Sequence, residues 1–531
     1  MKHVFLFGIF GWLLSFTLVA QTGIWQWSVP VHNFSTHPKN PESRAYLWIP
    51  GQCEQVKAIL VAQHNMEEIS ILEDEAFRQR MAELDVAQIW VCPSFNHGFD
   101  FTDGAWETLD GLLADLAEES GYKELSTAPL IAIGHSAAAS WPYYLAAYKP
   151  ERTLACISVS GQWPYHRWLC PDIWGERNIN KIPCLETMGE YESAHTWSNE
   201  GLKERKEHPL LPLSMLACPA EGHFAYTPEK AQYIALYIKK AMHYGHVDPT
   251  KEGWLMERWK KNEKPSCIPA PVNQFKGDPA QAFWFFDREM IEATLAYQSR
   301  YYDMKPQLVS VSQNGKTVSQ QNTHLQVHPA FIPQEDGITF QLTPVFLDTV
   351  PGESPRLSNW TDLPVGASIG HAGKAPVLQM ITGPVVLVDS VTFRIQWNRG
   401  TLWTDKKSDI VFSITHPGDE EYKPAVQQAQ MIIPVKNTEG QQQYIKFATL
   451  PDIKRGTKYV SLSAVSSCGL PVDFYVESGP AYVDGNRLIL TAIPPKTTYP
   501  VKVTVIAWQY GKNSDPKIKT AEPVKQTFYI R

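Results

Sequence analysis

Cysteine is scarce in this chain, with eight in 531 residues, which excludes a disulfide scaffold. An excess of positive charge is also missing. The net charge of −7 provides no basic surface for nucleic acid. There is no low-complexity tract and no repeat of solenoid or propeller length. After the first twenty residues no apolar run has the length and polarity of a membrane helix. What is present is a globular composition, 44% hydrophobic and 19% charged. The chain is too long for one hydrophobic core, so two or three domains are expected.

The stretch MKHVFLFGIFGWLLSFTLVA carries one early lysine, then an apolar run, and ends in a small residue. This is the pattern of a secretory signal over residues 1–20, with cleavage after Ala20. The mature protein is therefore expected to be periplasmic or extracellular. Cys92, Cys156, Cys184 and Cys218 each sit in an apolar run and read as buried hydrophobes. Cys170, Cys267 and Cys468 are better placed for disulfides.

From residue 21 to 246, strand-like runs alternate with helical patterns. SRAYLWIP, VKAILVAQH, VAQIWVCPSF, LIAIGHS, LACISVSG, KIPCLETMG and LLPLSMLACPA are runs that a parallel sheet buries on both faces. TDGAWETLDGLLADLAEES, SAAASWPYYLAAYKPE and TPEKAQYIALYIKKAMH read as helices, the last with Thr227 as N-cap and Pro228 at the first position. The alternation predicts an α/β fold with a parallel sheet. Residues 247–304 are polar and proline-rich, then helical over AFWFFDREMIEATLAYQSRYY. They are expected to form a connector packed on the first domain. Residues 305–531 alternate apolar and polar positions between turn signals, which predicts one or two β-sandwich modules.

The chemistry centres on LIAIGHSAAAS, residues 130–140. An apolar strand runs into Gly134-His135-Ser136-Ala137-Ala138. Small residues flank the serine where a strand must double back into a helix. The motif is G-x-S-x-A rather than G-x-S-x-G. It resembles the nucleophile elbow of the α/β-hydrolases, a fold that requires serine, then acid, then histidine at successive strand ends. The strand in KIPCLETMGEYE places Glu192 three residues after Gly189, with Glu190 as the second choice. The strand in SMLACPAEGHF is followed by His223. These residue types suit nucleophilic catalysis: His223 accepts the Ser136 proton, and Glu192 orients the imidazole. The oxyanion donors are expected at Ala137 and at Asn65 or Met66 in QHNM. The chemistry requires no metal or cofactor, and no cysteine pair has zinc-site spacing.

An insertion after the serine brings Trp163, His166, Arg167, Trp168 and Trp197 towards the mouth of the sheet, where aromatics and arginines suit an acidic sugar. AQHNM, GHSAAAS, MGEYE and EGHF resemble secreted bacterial α/β-hydrolase esterases. The region from about residue 425, with IKFATLPDIKRGTKYVSLSAVSSCGLPVDFYVESGPA, resembles immunoglobulin-like modules of polysaccharide-degrading Bacteroidetes. Together these resemblances imply a carbohydrate esterase, with methyl-esterified uronic acids of pectin as the leading substrate. Acetyl or feruloyl groups on hemicellulose are the alternative. A glycan-binding protein with an inactive hydrolase domain, or a peptidase, would leave the same outline.

Overall fold

A computed structural model describes residues 24–32, 43–161, 163, 173–319, 326–352, 360–401 and 407–531. Residues 1–20, expected to be a secretory signal, and His166, Arg167, Trp168 and Cys170 lie outside the described residues.

The apolar runs form strands because a strand covered on both faces has no polar side to present. They are β1 (Trp27–Pro30), β2 (Arg44–Trp48), β3 (Ala58–Gln63), β4 (Val86–Cys92), β5 (Leu130–His135), β6 (Thr153–Val159), β7 (Cys184–Gly189) and β8 (Leu213–Cys218). They make one eight-stranded sheet in the order β1-β2-β4-β3-β5-β6-β7-β8. β1 and β2 pair antiparallel at one edge, and every neighbouring pair from β4 to β8 is parallel. Parallel strands end on the same side, so the chain leaves β5, β7 and β8 along one edge of the sheet. This is an α/β-hydrolase-like sheet.

Among the described residues six helices accompany it: α1 (Glu68–Leu72), α2 (Glu75–Glu83), α3 (Ala105–Ser120), α4 (Trp141–Tyr148), α5 (Ala194–Glu207) and α6 (Pro228–Tyr244). α3 buries Leu109, Leu112, Leu113 and Leu116, the spacing of one helical face. Thr227 caps α6 by accepting the Lys230 backbone N–H at 3.2 Å, with Pro228 in the first turn. α4 does not start at the serine as expected. Ser136–Ala138 form a single 3-10 turn first. α5 falls where the sequence reads as polar insertion, because its buried face is only Ala194, Ser198, Gly201 and Leu202.

The connector contains a small sheet of β9 (Trp254–Glu257), β10 (Ala270–Pro271) and β11 (Ala282–Phe285), followed by α7 (Arg288–Gln298). The single helix expected from Ala282 is thus divided. Ala-Phe-Trp-Phe favours the extended form. Asp287 then caps α7 by accepting the Met290 N–H at 3.0 Å. Phe283, Trp284, Met290 and Ile291 share the core of the main sheet.

After Pro306 the described strands pair antiparallel with one another and build two main cores. One gathers Val311, Phe340, Phe393 and Phe412, the other Leu488, Val503, Val505 and Phe528. We call these the first and second β modules. Trp397 of the first meets Trp508 of the second with ring centres 4.8 Å apart. No helix among the described residues is long and apolar enough to cross a membrane. Cys92, Cys156, Cys184 and Cys218 are buried free thiols. Cys267 and Cys468 are half-buried and also unpaired, so neither forms the disulfide expected of it within the described residues.

Candidate active site

The turn after β5 is tight because the chain reverses within one residue of the strand end. Ser136 has a φ of 52°, a left-handed conformation that strains any residue with a side chain. Gly134 makes the reversal possible. A Cβ there would lie 2.0 Å from the Ala138 carbonyl oxygen and 2.9 Å from Trp141 Cδ1. Gly161 lies two residues past the end of β6, where a Cβ would meet Ala139 Cβ at 1.9 Å. The serine is therefore presented by backbone packed too closely for larger residues.

His223 Nε2 lies 2.7 Å from Ser136 Oγ. On the other side of the ring, Nδ1 is in short contact with Glu192 Oε1. The carboxylate accepts the Nδ1–H, which leaves Nε2 free of hydrogen to accept the serine proton. Burial alone would lower the His223 pKa, but the Glu192 charge outweighs it, and the net shift is upward. Glu190, the second choice of acid, lies away from the imidazole. Its carboxylate accepts the Ala220 N–H at 2.8 Å and pairs with Lys423 at 2.8 Å. That commitment to a buried cation removes it from contact with His223.

Beneath the histidine is a buried polar network that the sequence reading passed over. Lys230 Nζ lies 2.9 Å from Glu67, 3.4 Å from Glu221 and 2.5 Å from the Ala225 carbonyl. Tyr297 donates its hydroxyl to Glu221. His135 Nε2 sits 2.8 Å from the His223 carbonyl oxygen and 3.4 Å from Glu67. Burial lowers the His135 pKa well below the ordinary value, so its neutral ring donates Nε2–H to that carbonyl. Burial would also lower the Lys230 pKa, but Glu67 and then Glu221 raise it. The only sequence signal was a lysine in the first turn of α6, a position that ordinarily faces water.

The expected oxyanion loop differs from expectation. The N–H groups of Asn65 and Met66 both donate to Glu68 Oε2, at 3.2 and 2.7 Å. Glu68 Oε1 accepts the His135 N–H at 2.7 Å. Glu68 begins α1 and is fully buried, so its carboxylate takes the nearest donors in reach. Burial pushes its pKa up to about 7 although the backbone N–H groups stabilise the charge. As folded, Asn65 and Met66 direct their N–H groups at Glu68. Ala137, the donor expected after the nucleophile, is exposed at the turn.

Of the expected substrate residues, Trp163 is packed away and Trp197 is half-buried against the same core. Trp163 is fully buried and donates Nε1–H to the Trp197 carbonyl at 3.0 Å. Its ring stacks on Phe283 at 5.9 Å and on Trp197 at 6.4 Å. Gly201 leaves space for it, since a Cβ there would meet the indole at 2.6 Å. The aromatic cluster thus seals α5 to the connector. A cavity of about 440 Å³ opens beside the Asn65 loop, lined by His64, Ser70 and Trp90 from the first domain and by Ile381, Arg399 and Lys407 from the first β module. None of Ser136, Glu192 and His223 lines it. Among the described residues no cluster of His, Cys, Asp and Glu is arranged to hold a metal ion.

The chain is similar to solved hydrolase structures. A dienelactone hydrolase from Anabaena variabilis ATCC 29413 is 14% identical, covering 42% of this chain and 98% of its own, with a TM-score of 0.28. An S-formylglutathione hydrolase from Agrobacterium tumefaciens is 13% identical, covering 41% and 93%, with a TM-score of 0.30. Est1E from Butyrivibrio proteoclasticus is 14% identical, covering 38% and 95%, with a TM-score of 0.26. No protein-family model and no curated protein matches the sequence.

Proposed function

We propose that this chain is a serine carboxylic ester hydrolase. One observation carries the reading: Ser136, on a positive-φ turn, lies 2.7 Å from the nitrogen of His223 whose opposite nitrogen contacts Glu192. A serine hydroxyl is a weak nucleophile until a base accepts its proton. In this arrangement Ser136 Oγ attacks the ester carbonyl carbon and its proton passes to His223 Nε2. Glu192 stabilises the imidazolium so formed. The tetrahedral oxyanion takes a hydrogen bond from the Ala137 N–H. Collapse breaks the bond to the alcohol, which leaves with the proton from His223. Water, deprotonated by His223, then releases the acid and restores Ser136.

We assign the substrate to methyl-esterified uronic acids of pectin, and the chain to the periplasm or the exterior. The support is the resemblance of AQHNM, GHSAAAS, MGEYE and EGHF, and of the C-terminal modules, to secreted polysaccharide-degrading enzymes. The first stretch resembling a signal peptide supports export.

The test is an ester panel on the wild type and Ser136→Ala, read as methanol, acetate or ferulate released. Methanol release from esterified pectin is expected, falling by about 10⁴-fold or more in the variant. Acetate from xylan or ferulate without methanol would move the substrate to hemicellulose. Activity unchanged in Ser136→Ala, together with glycan binding by the β modules, would make a glycan-binding protein the better account.

A further inference from the structure

The loops that carry the acid and the base face the first β module. Glu190 is two residues from Glu192. Its Oε1 pairs with Lys423 Nζ, and both side chains are buried. Its Oε2 accepts the N–H of Ala220, in the loop that leads to His223. One carboxylate therefore joins the acid loop, the base loop and the β module. Tyr191 adds a second tie. Trp360 donates its indole N–H to the Tyr191 carbonyl at 3.0 Å and stacks on its ring at 4.5 Å. The Tyr191 hydroxyl donates to the Pro424 carbonyl at 3.3 Å. On the base loop, Gly222 is flush against Gln428: a Cβ there would lie 2.4 Å from the amide nitrogen. Phe224 packs on Ile381 and Val411.

A module that served only to bind glycan or to space the enzyme would need no buried charge beside the acid. A buried ion pair is costly to break once formed, and although Lys261 Nζ lies 3.8 Å from the same Glu190 oxygen, Lys423 at 2.8 Å is its nearer and buried partner. The pair also fixes geometry. Glu192 must meet Nδ1 of His223 within a fraction of an ångström to hold the tautomer.

We propose that the first β module is a working part of the catalytic site, with Lys423 and Trp360 as positioning residues that hold Glu192 on His223. This rests on the esterase reading for its kinetic consequences, but not for its structural ones. Lys423 touches no reacting atom. It acts through Glu190, and Trp360 acts through Tyr191.

The test uses the full chain with Lys423→Met, Lys423→Arg and Trp360→Phe. Arg394→Gln, which breaks a pair with Asp473 between the two β modules, is the control. The structural readout is the downfield proton resonance of His223 Nδ1–H, which reports its hydrogen bond to a carboxylate. Lys423→Met is expected to shift or lose it, and to lower kcat by about 10- to 100-fold with KM little changed. The acid limb of the kcat/KM profile should move to lower pH. Charged and neutral groups face His223 from several elements. Glu192 and Glu67 raise its pKa, while Lys230 lowers it. Neutral His135 packs on its ring at 4.9 Å. Only Glu192 is expected to move, so its loss from contact lowers the pKa. Lys423→Arg should retain wild-type behaviour, as should Arg394→Gln.

A folded Lys423→Met with the wild-type resonance, kcat and pH limb would overturn the proposal. Should Lys423→Met fail to fold, Trp360→Phe decides. It keeps an aromatic ring for the stack while removing the indole N–H bond to Tyr191 and part of the ring's volume, and an unchanged resonance and kcat there would be equally decisive. Reaction of Ser136 with a fluorophosphonate separates the two questions. Absence of both labelling and ester turnover in the wild type would overturn the esterase reading, while the resonance still reports on the positioning.

Discussion

The reversal that presents Ser136 is shaped by near neighbours in sequence and tied down by Glu68, which accepts the His135 N–H across 67 positions, whereas the loops carrying Glu192 and His223 are set against one another largely from farther along the chain. Gly134, Ala138 and Trp141 pack against one another to form the turn. By contrast Glu190 reaches Lys423 across 233 positions, Trp360 reaches Tyr191 across 169, and Tyr297 reaches Glu221 across 76. The difference follows from the tasks. The nucleophile needs one strained backbone conformation, which a few small residues can impose. The acid and base need relative placement of two separate loops, which only tertiary contacts supply.

The largest effect expected from breaking the long-range half is Glu192→Gln. Glutamine keeps the shape but removes the charge, and its amide no longer selects the Nδ1–H tautomer. We expect kcat to fall by about 10⁴-fold, the scale seen when a triad acid becomes an amide. The pH profile gives the sign. His223 must be neutral to accept the serine proton, so kcat/KM falls as pH drops through its pKa. Glu192 raises that pKa, and the limb should lie above about 6.5, the unperturbed value. In Glu192→Gln the residual activity should extend to lower pH. A limb that stays in place would show that Glu192 does not face His223 in solution.

This division also explains what the sequence shows and what it hides. The seven strands quoted from the first domain all form, because a doubly buried strand is a continuous apolar run. The elbow is recognisable because its requirements are local. Glu192 and Glu190 are only two residues apart, and what separates their surroundings is Lys423, which no local pattern names. Trp163 illustrates the opposite error. A tryptophan in a polar insertion suggests a sugar platform, but Gly201, on another element, leaves a slot that buries it. The donors of Asn65 and Met66 are taken by Glu68, whose position at the start of α1 turns its carboxylate inward. Burial of a charged side chain depends on what covers it, and periodicity carries no information about that.

A smaller effect, on stability, is expected from Lys230→Met. The substitution leaves Glu67 and Glu221 buried without their cation. Breaking such a group from one side costs about 3–5 kcal/mol, read as a fall in the urea midpoint or in Tm. The loss should depend on pH. Burial already raises the Glu67 pKa even with the lysine present. Without it, Glu67 takes up a proton as pH falls, and the penalty of the buried charge diminishes. The variant should therefore lose more stability at about pH 8 than at about pH 5. An equal loss at both would mean that the lysine contributes packing rather than charge.

The smallest of these effects tests the local half. In Gly134→Ala a single methyl would be placed 2.0 Å from the Ala138 carbonyl oxygen. The obstacle is backbone, so the turn must shift, at a cost of about 1–3 kcal/mol. Because the displaced segment is the one that aims Ser136, activity should fall further than stability alone accounts for. The loss should appear in the rate at which a fluorophosphonate labels Ser136. The long-range half should be untouched: Glu192 and His223 hang from β7, β8 and the first β module, none of which includes Gly134. The His223 Nδ1–H resonance is therefore expected to keep its wild-type position while labelling slows. A resonance that moves with the turn would show that His135, which follows Gly134 and bonds the His223 carbonyl, transmits strain from the nucleophile to the base. The two halves would then be one mechanical unit rather than two.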